Sequence, residues 1–235
     1  MLPVIILAGG LGTRLRPITG KIPKALAEVN GEPFLAHQLR LLRANGFERV
    51  VMSVAYLGEM IRDFAGDGSA FGLRIEYSFD GPVYLGTAGA IKKALPLLGD
   101  AFFSLYGDSY LPCNYSEIEA RHRESGRLAL MTVFKNDGLF DASNVEFAGG
   151  VILAYDKKHR TPAMRHIDYG LGVFRAEAFD MIPDGGAADL ADLYARLLDR
   201  GQLAACEVPE RFYEIGTVEG LGDTAAYLMI RSRTR

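Results

Sequence analysis

Pro3-Val4-Ile5-Ile6-Leu7-Ala8-Gly9-Gly10-Leu11-Gly12-Thr13-Arg14 stands almost at the start of the chain. Its first five residues form a continuous apolar run rich in β-branched side chains. That is the pattern of a strand buried on both faces of a parallel sheet. The glycines that follow let the backbone adopt positive φ and approach a ligand closely. Successive N–H groups in such a turn make a concave anion site, and Arg14 adds a planar cation suited to phosphate oxygens. A P-loop is excluded, because no G-x-x-x-x-G-K-[ST] string occurs. The dinucleotide fingerprint fails as well, since Leu15 stands where its third glycine belongs and Pro17 follows. The partners of a kinase glycine loop are missing. A plain connecting turn would explain a lone Gly-Gly, but here Thr13-Arg14 and then Pro23-Lys24 follow in a proline-studded stretch.

Outward from this turn, Pro17, Gly20, Pro23, Gly31 and Pro33 predict a long surface loop rather than a helix. A helix is expected from Pro33 to Gly46, then a strand over Arg49–Ala55 and a short helix over Leu57–Ala65. Strands follow at Leu73–Phe79 and Ala101–Tyr106, with a helix from Thr87 to Leu95 between them. Ser116-x-x-Glu119 reads as a capping box for the next helix. Leu128–Lys135 is a fifth strand, and shorter strands are expected around Val145, at Val151–Tyr155 and at Gly170–Arg175. Helices return at Ala188–Arg200 and Val218–Arg231, with strands at Leu203–Val208 and around Phe212–Ile215 between them. Strand–helix alternation first and mixed strands later give an α/β fold with a mostly parallel central sheet. One domain is expected over residues 1–235: a nucleotide-binding half over 1–135, then a substrate-shaping part over 136–235 that ends in the C-terminal helix.

Composition narrows the function. Lys and Arg total 26 against 29 Asp and Glu, a formal net charge of −3 in 235 residues. That balance argues against a dedicated nucleic-acid binder, whose affinity rests on basic contacts to phosphates. No apolar run approaches the ~20 residues that span a bilayer. No basic region precedes the first apolar run, so neither a membrane partner nor a secretory signal is expected. Cys113 and Cys206 fit no zinc or redox spacing. The chain is expected to be soluble, cytoplasmic and free of disulfides. His37, His122, His159 and His166 have no partner at catalytic or zinc spacing and receive no role.

Leu7-Ala8-Gly9-Gly10-Leu11-Gly12-Thr13-Arg14-Leu15-Arg16-Pro17-Ile18-Thr19, followed by Ile22-Pro23-Lys24-Ala25-Leu26, resembles the signature of the sugar-1-phosphate nucleotidylyltransferases, and within them the heptose- and mannose-1-phosphate guanylyltransferases. Every fixed position of L-A-G-G-x-G-T-R-L-x-P-x-T … P-K-x-L is present. The resemblance covers nearly the whole chain and is looser between residues 135 and 215. It implies a Rossmann-like three-layer sandwich of the nucleotide-diphospho-sugar transferase type. It also implies a reaction in which a sugar 1-phosphate attacks the α-phosphorus of a nucleoside triphosphate and pyrophosphate leaves. Ala8, Gly9, Gly10, Gly12 and Thr13 would then hold the triphosphate, and Arg14 and Lys24 would neutralise charge as it moves. Such chemistry needs alignment and charge more than covalent help.

Asp108 follows a buried strand in Tyr106-Gly107-Asp108-Ser109, and the carboxyl end of a parallel strand is where α/β sheets place ligands. A carboxylate there can hold Mg²⁺; alone, a Gly-Asp pair would read as a turn. The resemblance assigns it as a metal ligand and catalytic residue, and assigns a second metal carboxylate to Glu214 in Tyr213-Glu214-Ile215-Gly216-Thr217. The family has aspartate there, so the extra methylene shifts the group. Leu85-Gly86-Thr87-Ala88-Gly89 offers small residues at a helix start, which suit either a flat ring or close helix packing. The resemblance makes Gly86, Thr87 and Gly89 nucleotide-binding, and the string leans toward GTP, although Val83 and Tyr84 interrupt the guanylyl pattern after Pro82. Lys157, Asp168, Gly170 and Asn144 are the positions the resemblance assigns to the sugar phosphate. For Lys157, a solvated charge run is an equal alternative.

The expectation is thus a nucleotidylyltransferase using Mg²⁺, GTP and a heptose or mannose 1-phosphate. Rivals are a uridylyltransferase for a hexose or amino-sugar 1-phosphate, a cytidylyltransferase using choline phosphate, and a non-catalytic sugar-nucleotide-binding regulatory subunit of the same fold. A homodimer is left open.

Overall fold

The computed structural model describes residues 1–10, 15, 20–81 and 83–233. Strand β1 (Val4–Leu7) lies at the centre. It pairs in parallel with β4 (Arg49–Val54) on one side and β6 (Ala101–Tyr106) on the other, with Val4 opposite both Val50 and Phe103. Strand β5 (Arg74–Phe79) extends the parallel row beyond β4. The order β5-β4-β1-β6 means the chain builds outward from β1 and then returns to its other side. The crevice between β1 and β6 is therefore the point where the strand order reverses, and such points form ligand sites at strand carboxyl ends.

Alternate residues of β1 face opposite layers, as the two-residue period of a strand requires. Val4 and Ile6 pack with Leu35, Leu39 and Leu42 of α1 (Phe34–Ala44), Ile61 of α2 (Gly58–Ala65) and Ile118 of α4 (Tyr115–Ser125). Ile5 packs with Ala88, Ile91 and Ala94 of α3 (Gly86–Leu98) and Leu193 and Leu197 of α5 (Leu190–Asp199). Helices thus cover both faces of one sheet, giving the three-layer α/β sandwich.

The sheet continues past β6 with a change of direction. Strand β11 (His166–Arg175) pairs antiparallel with β6, and β8 (Ala129–Lys135) and β9 (Val145–Ala148) pair antiparallel with β11. Strand β10 (Val151–Tyr155) borders β9, and β12 (Leu203–Glu207) runs parallel to β8. A small ribbon, β7 (Ser109–Tyr110) with β13 (Tyr213–Glu214), joins the C-terminal region to the end of β6. The last helix, α6 (Val218–Arg233), is anchored beside it by Tyr227 stacked on Tyr213 at 4.0 Å.

Three local expectations need correction. The stretch from Lys24 to Pro33 is not only surface loop: it holds a short 3₁₀ turn (Lys24–Leu26) and a hairpin of β2 (Glu28–Val29) with β3 (Glu32–Pro33). Ala25, Ala27 and Val29 are buried there. Helix α4 begins at Tyr115, so Ser116 lies inside its first turn and cannot cap it. Asn114 is the cap, accepting from the Glu117 N–H at 3.2 Å, while the Glu119 carboxylate accepts from the Leu2 N–H at 2.9 Å. Helix α3 runs on through Pro96 to Leu98. Both cysteines are free and buried, and no helix among the described residues is long and apolar enough to cross a membrane.

Candidate active site

A cavity of about 310 Å³ opens over the carboxyl ends of β1, β4, β5 and β6. Ala8, Gly9 and Gly10 line it where β1 ends, and Lys24 and Ala25 border it from the 3₁₀ turn. The Lys24 ammonium donates to Asp108 Oδ2 in an ion pair of two largely sheltered side chains. Ser109 Oγ lies 3.4 Å from the other carboxylate oxygen. A cation and a carboxylate thus meet directly beside the glycine turn.

The backbone under Asp108 is fixed from three sides. The Gly107 N–H donates to Leu7 O at 2.9 Å, and a Cβ at Gly107 would stand 3.0 Å from Ala8 Cβ, so a larger residue would press β6 away from β1 here. From α1, buried Gln38 donates through Nε2 to the carbonyls of Tyr106 and Ser109 at 2.9 and 2.7 Å. The Ile215 N–H donates to Asp108 O at 3.0 Å, and Glu214 sits opposite Ser109 in the β7–β13 ribbon. Glu214 is thereby tied within one register step of Asp108. Thr217, just after it, accepts from the Gly220 N–H at 3.0 Å and caps α6.

At the start of α3, Gly86 and Thr87 line the cavity and Gly89 does not. The helix N-terminus is already occupied: Ala188 O accepts from the N–H groups of Ala88 and Gly89 at 2.9 and 3.2 Å. A Cβ at Gly89 would stand 2.6 Å from Gly186 O. Gly89 is therefore a close-packing position, tight against the Gly186 and Ala188 backbone. Gly86 has φ +67° and lies hard against Ala188 O, so it needs glycine on both grounds.

Asn144, Lys157, Asp168 and Gly170 come together beside the cavity, next to Tyr106 on its wall. Asp168 is almost fully enclosed. Its Oδ1 accepts from the Gly170 N–H at 3.0 Å and its Oδ2 from the Tyr155 hydroxyl at 3.3 Å. Lys157 Nζ stands 3.6 Å from that second oxygen, and Asn144 Oδ1 accepts from the Asp168 N–H at 2.9 Å. Burial, with Asp168, Asp189 and Asp108 nearby, pushes the Tyr106 phenol well above its usual range. Gly12, Thr13 and Arg14 lie outside the described residues.

Sequence reading missed Ser53, Asp80, Tyr84 and Tyr106 on the cavity wall. Burial raises the Asp80 carboxyl above its usual value, opposed by Lys93 and Ser53. A signal existed for Asp80 and Tyr106: both follow directly on strands, or end them, at the carboxyl edge of the parallel row.

A family model described as Nucleotidyl transferase matches residues 3–229. The chain belongs to the nucleotidyl transferase family. Among its relatives, a UTP–glucose-1-phosphate uridylyltransferase of Synechocystis is 35% identical over 84% of this chain, which spans 55% of that protein's length. An N-acetylmuramate α-1-phosphate uridylyltransferase of Neisseria meningitidis is 32% identical over 94% of this chain and 96% of its own. Other nucleotidyl transferase relatives are named as mannose- and heptose-1-phosphate guanylyltransferases. The crystal structure of HddC from Yersinia pseudotuberculosis with GMP-PN superposes with a TM-score of 0.81 at 22% identity, covering 97% of this chain and 100% of that one. It shares the nucleotidyl transferase fold.

Proposed function

We propose that this chain transfers a nucleoside monophosphate from a nucleoside triphosphate, GTP by preference, to a heptose- or mannose-type sugar 1-phosphate. The observation that carries the reading is the Lys24–Asp108 ion pair beside Gly9-Gly10, at the point where the strand order reverses. A phosphate oxygen of the sugar 1-phosphate is ionised at neutral pH and needs no base to attack the α-phosphorus. The bond from that phosphorus to the oxygen shared with the β-phosphate breaks, and pyrophosphate leaves. The chain's task is to align the two phosphates and neutralise their charge. Lys24 and Arg14 supply cations, and Gly9 and Gly10 allow the backbone to approach. Lys157 meets the phosphate of the sugar 1-phosphate in this reading, and Asp168 lies toward the sugar hydroxyls, from which a carboxylate accepts.

Mg²⁺ fits the donor set. Asp108, one residue before β7, and Glu214 of its partner strand β13 would provide hard oxygen ligands, and no group of three or more metal-type side chains occurs among the described residues. Magnesium is commonly held by one or two carboxylates plus substrate phosphates rather than by an all-protein cage. When bound, it neutralises phosphate charge at the reacting centre.

A second reading, UTP as donor, is favoured by the Neisseria relative named a uridylyltransferase, which aligns with nearly the whole chain. Pyrophosphate release measured with GTP, UTP, CTP and ATP against a panel of sugar 1-phosphates tests both. Turnover with GTP and a heptose or mannose 1-phosphate is the expected result. Nucleotide binding without turnover for any pair would replace the enzyme with a binding module.

A further inference from the structure

The turn that joins β10 to β11 is strongly basic. Over residues 156–165 four cations, Lys157, Lys158, Arg160 and Arg165, stand against one carboxylate, Asp156, in a chain whose net charge is −3. The turn is pinned at both ends. The Asp156 N–H donates to Asn144 O at 3.0 Å, and Asp156 Oδ1 accepts from the N–H groups of Lys158 and His159 at 2.6 and 2.8 Å. At the far end Arg165 O accepts from the N–H groups of Asn136 and Asp137 at 3.1 and 2.9 Å, and Met164 is buried. Lys157 is paired with Asp168, His159 with Asp156 and Arg165 with Asp137. Lys158 and Arg160 are exposed and have no ion-pair partner among the described residues.

This turn starts at the edge of the cavity. Lys157 Nζ stands over the ring of Tyr106, on the cavity wall, 6.0 Å from its centroid. Arg160 borders a shallow groove together with Ser143, the chain neighbour of Asn144 in the Asp168 cluster. Three residues of chain reach at most about 11 Å, so the backbone of Arg160 lies within about one Debye length of Lys157 at 0.1 M salt. We infer that Lys158 and Arg160 form a basic rim that draws the anionic sugar 1-phosphate toward Lys157, resting on the reading that places that substrate there. A chain of net negative charge repels polyanions at a distance. A pinned patch of the opposite sign at the mouth reverses the local field and raises both encounter rate and occupancy. The rim acts through its field and touches no reacting atom, so it bears on KM and leaves kcat alone. Lys24 serves the nucleotide's phosphates in the same reading, so the larger effect falls on the sugar 1-phosphate.

The test reverses both charges in the double variant Lys158→Glu, Arg160→Glu. A control, Arg123→Glu with Arg200→Glu, makes the same change in net charge at the amino ends of the strands, where α4 and α5 finish just before β8 and β12 begin. Pyrophosphate release is followed with the nucleotide and sugar 1-phosphate that the wild type uses best. At an ionic strength of ~10 mM, where the Debye length is about 30 Å, KM for the sugar 1-phosphate should rise about three- to tenfold in the rim variant, the lower end of electrostatic steering. The kcat should hold, and KM for the nucleotide should rise less. Near ~1 M salt, where the Debye length is about 3 Å, the rim variant and the wild type should converge. A rim variant with the wild-type KM and salt dependence overturns the inference, and so does an equal loss in the control; both leave the transferase reading intact. A wild-type protein that releases no pyrophosphate with any pair sinks that reading instead. Calorimetric titration with mannose 1-phosphate then tests the rim by itself. Binding weakened in the rim variant at low salt alone supports it, and equal binding, or none by either protein, sinks it.

Discussion

The cavity at the carboxyl ends of β1 and β6 and the cluster around Asp168 both gather charges among aromatic rings, yet their hydrogen bonds are spent differently. In the cavity, Lys24 and Asp108 hold each other through side chains, and each can exchange its partner for an incoming ion. Around Asp168, the contacts are to the backbone and to a buried phenol: Gly170 N–H, Tyr155 hydroxyl, and Asn144 gripping the Asp168 N–H. Those groups form a frame that shapes a surface. Only Lys157 in that cluster has a largely accessible side chain, at 41% against 5% for Asp168. Exchangeable pairs belong to the reacting end of a site, and fixed networks belong to its walls.

The comparison breaks first at Asp108. Asp108→Asn keeps the size and removes the charge, so pyrophosphate release should fall by ~10²–10³, the usual loss for one electrostatic stabiliser. Melting should move by only a few degrees, because the amide oxygen in Asp108→Asn can still accept from the Lys24 ammonium. Turnover within tenfold of wild type would mean that the exchangeable pair is not at the reacting end. Lys157→Ala is the next largest effect. KM for the sugar 1-phosphate should rise about tenfold, the loss of one charged hydrogen bond. The KM for the nucleotide and the melting temperature should stay put. Equal changes in both KM values would remove Lys157 from the sugar side.

The same contrast explains what could be read from the chain alone. The parallel core was legible because Pro3–Leu7, Arg49–Ala55 and Ala101–Tyr106 are short apolar runs between turn signals, and their burial on two faces leaves no other use for them. Lys24 and Asp108 were legible because each sits in a dense local motif. Asp80 carried only the weaker signal of following a strand: that it lines the cavity depends on β5 lying beside β4, a long-range pairing that no local pattern states. Gly89 shows a related ambiguity, since the same small residue serves a ligand or a neighbouring backbone, and its packing against Gly186 and Ala188 could not be read from the chain. The capping box misled by two residues of helix register, with Asn114 displacing Ser116. In the second half, the four residues 144, 157, 168 and 170 are scattered in sequence. They converge through the turn at Gly170, where φ of +90° interrupts the pairing of β11 with β8.

Asn144 gives the smallest kinetic effect and the sharpest test of the frame. Its side-chain oxygen accepts from the Asp168 N–H, and its own N–H donates to His166 O at 2.9 Å, so it stitches β9 to β11 from a buried position. Removing the acceptor in Asn144→Ala leaves a sheltered N–H without a partner, a loss of about 1–3 kcal/mol. In a chain of this size that lowers the melting temperature by roughly 2–12 °C, at about 2–4 °C per kcal/mol. The folded fraction should retain kcat within a few-fold, with KM for the sugar 1-phosphate rising less than in Lys157→Ala. The two variants should therefore separate cleanly, one in stability and one in affinity. A variant at 144 that melts like wild type and raises KM as far as Lys157→Ala would turn the frame into a binding surface, and Asn144 into a substrate contact in its own right.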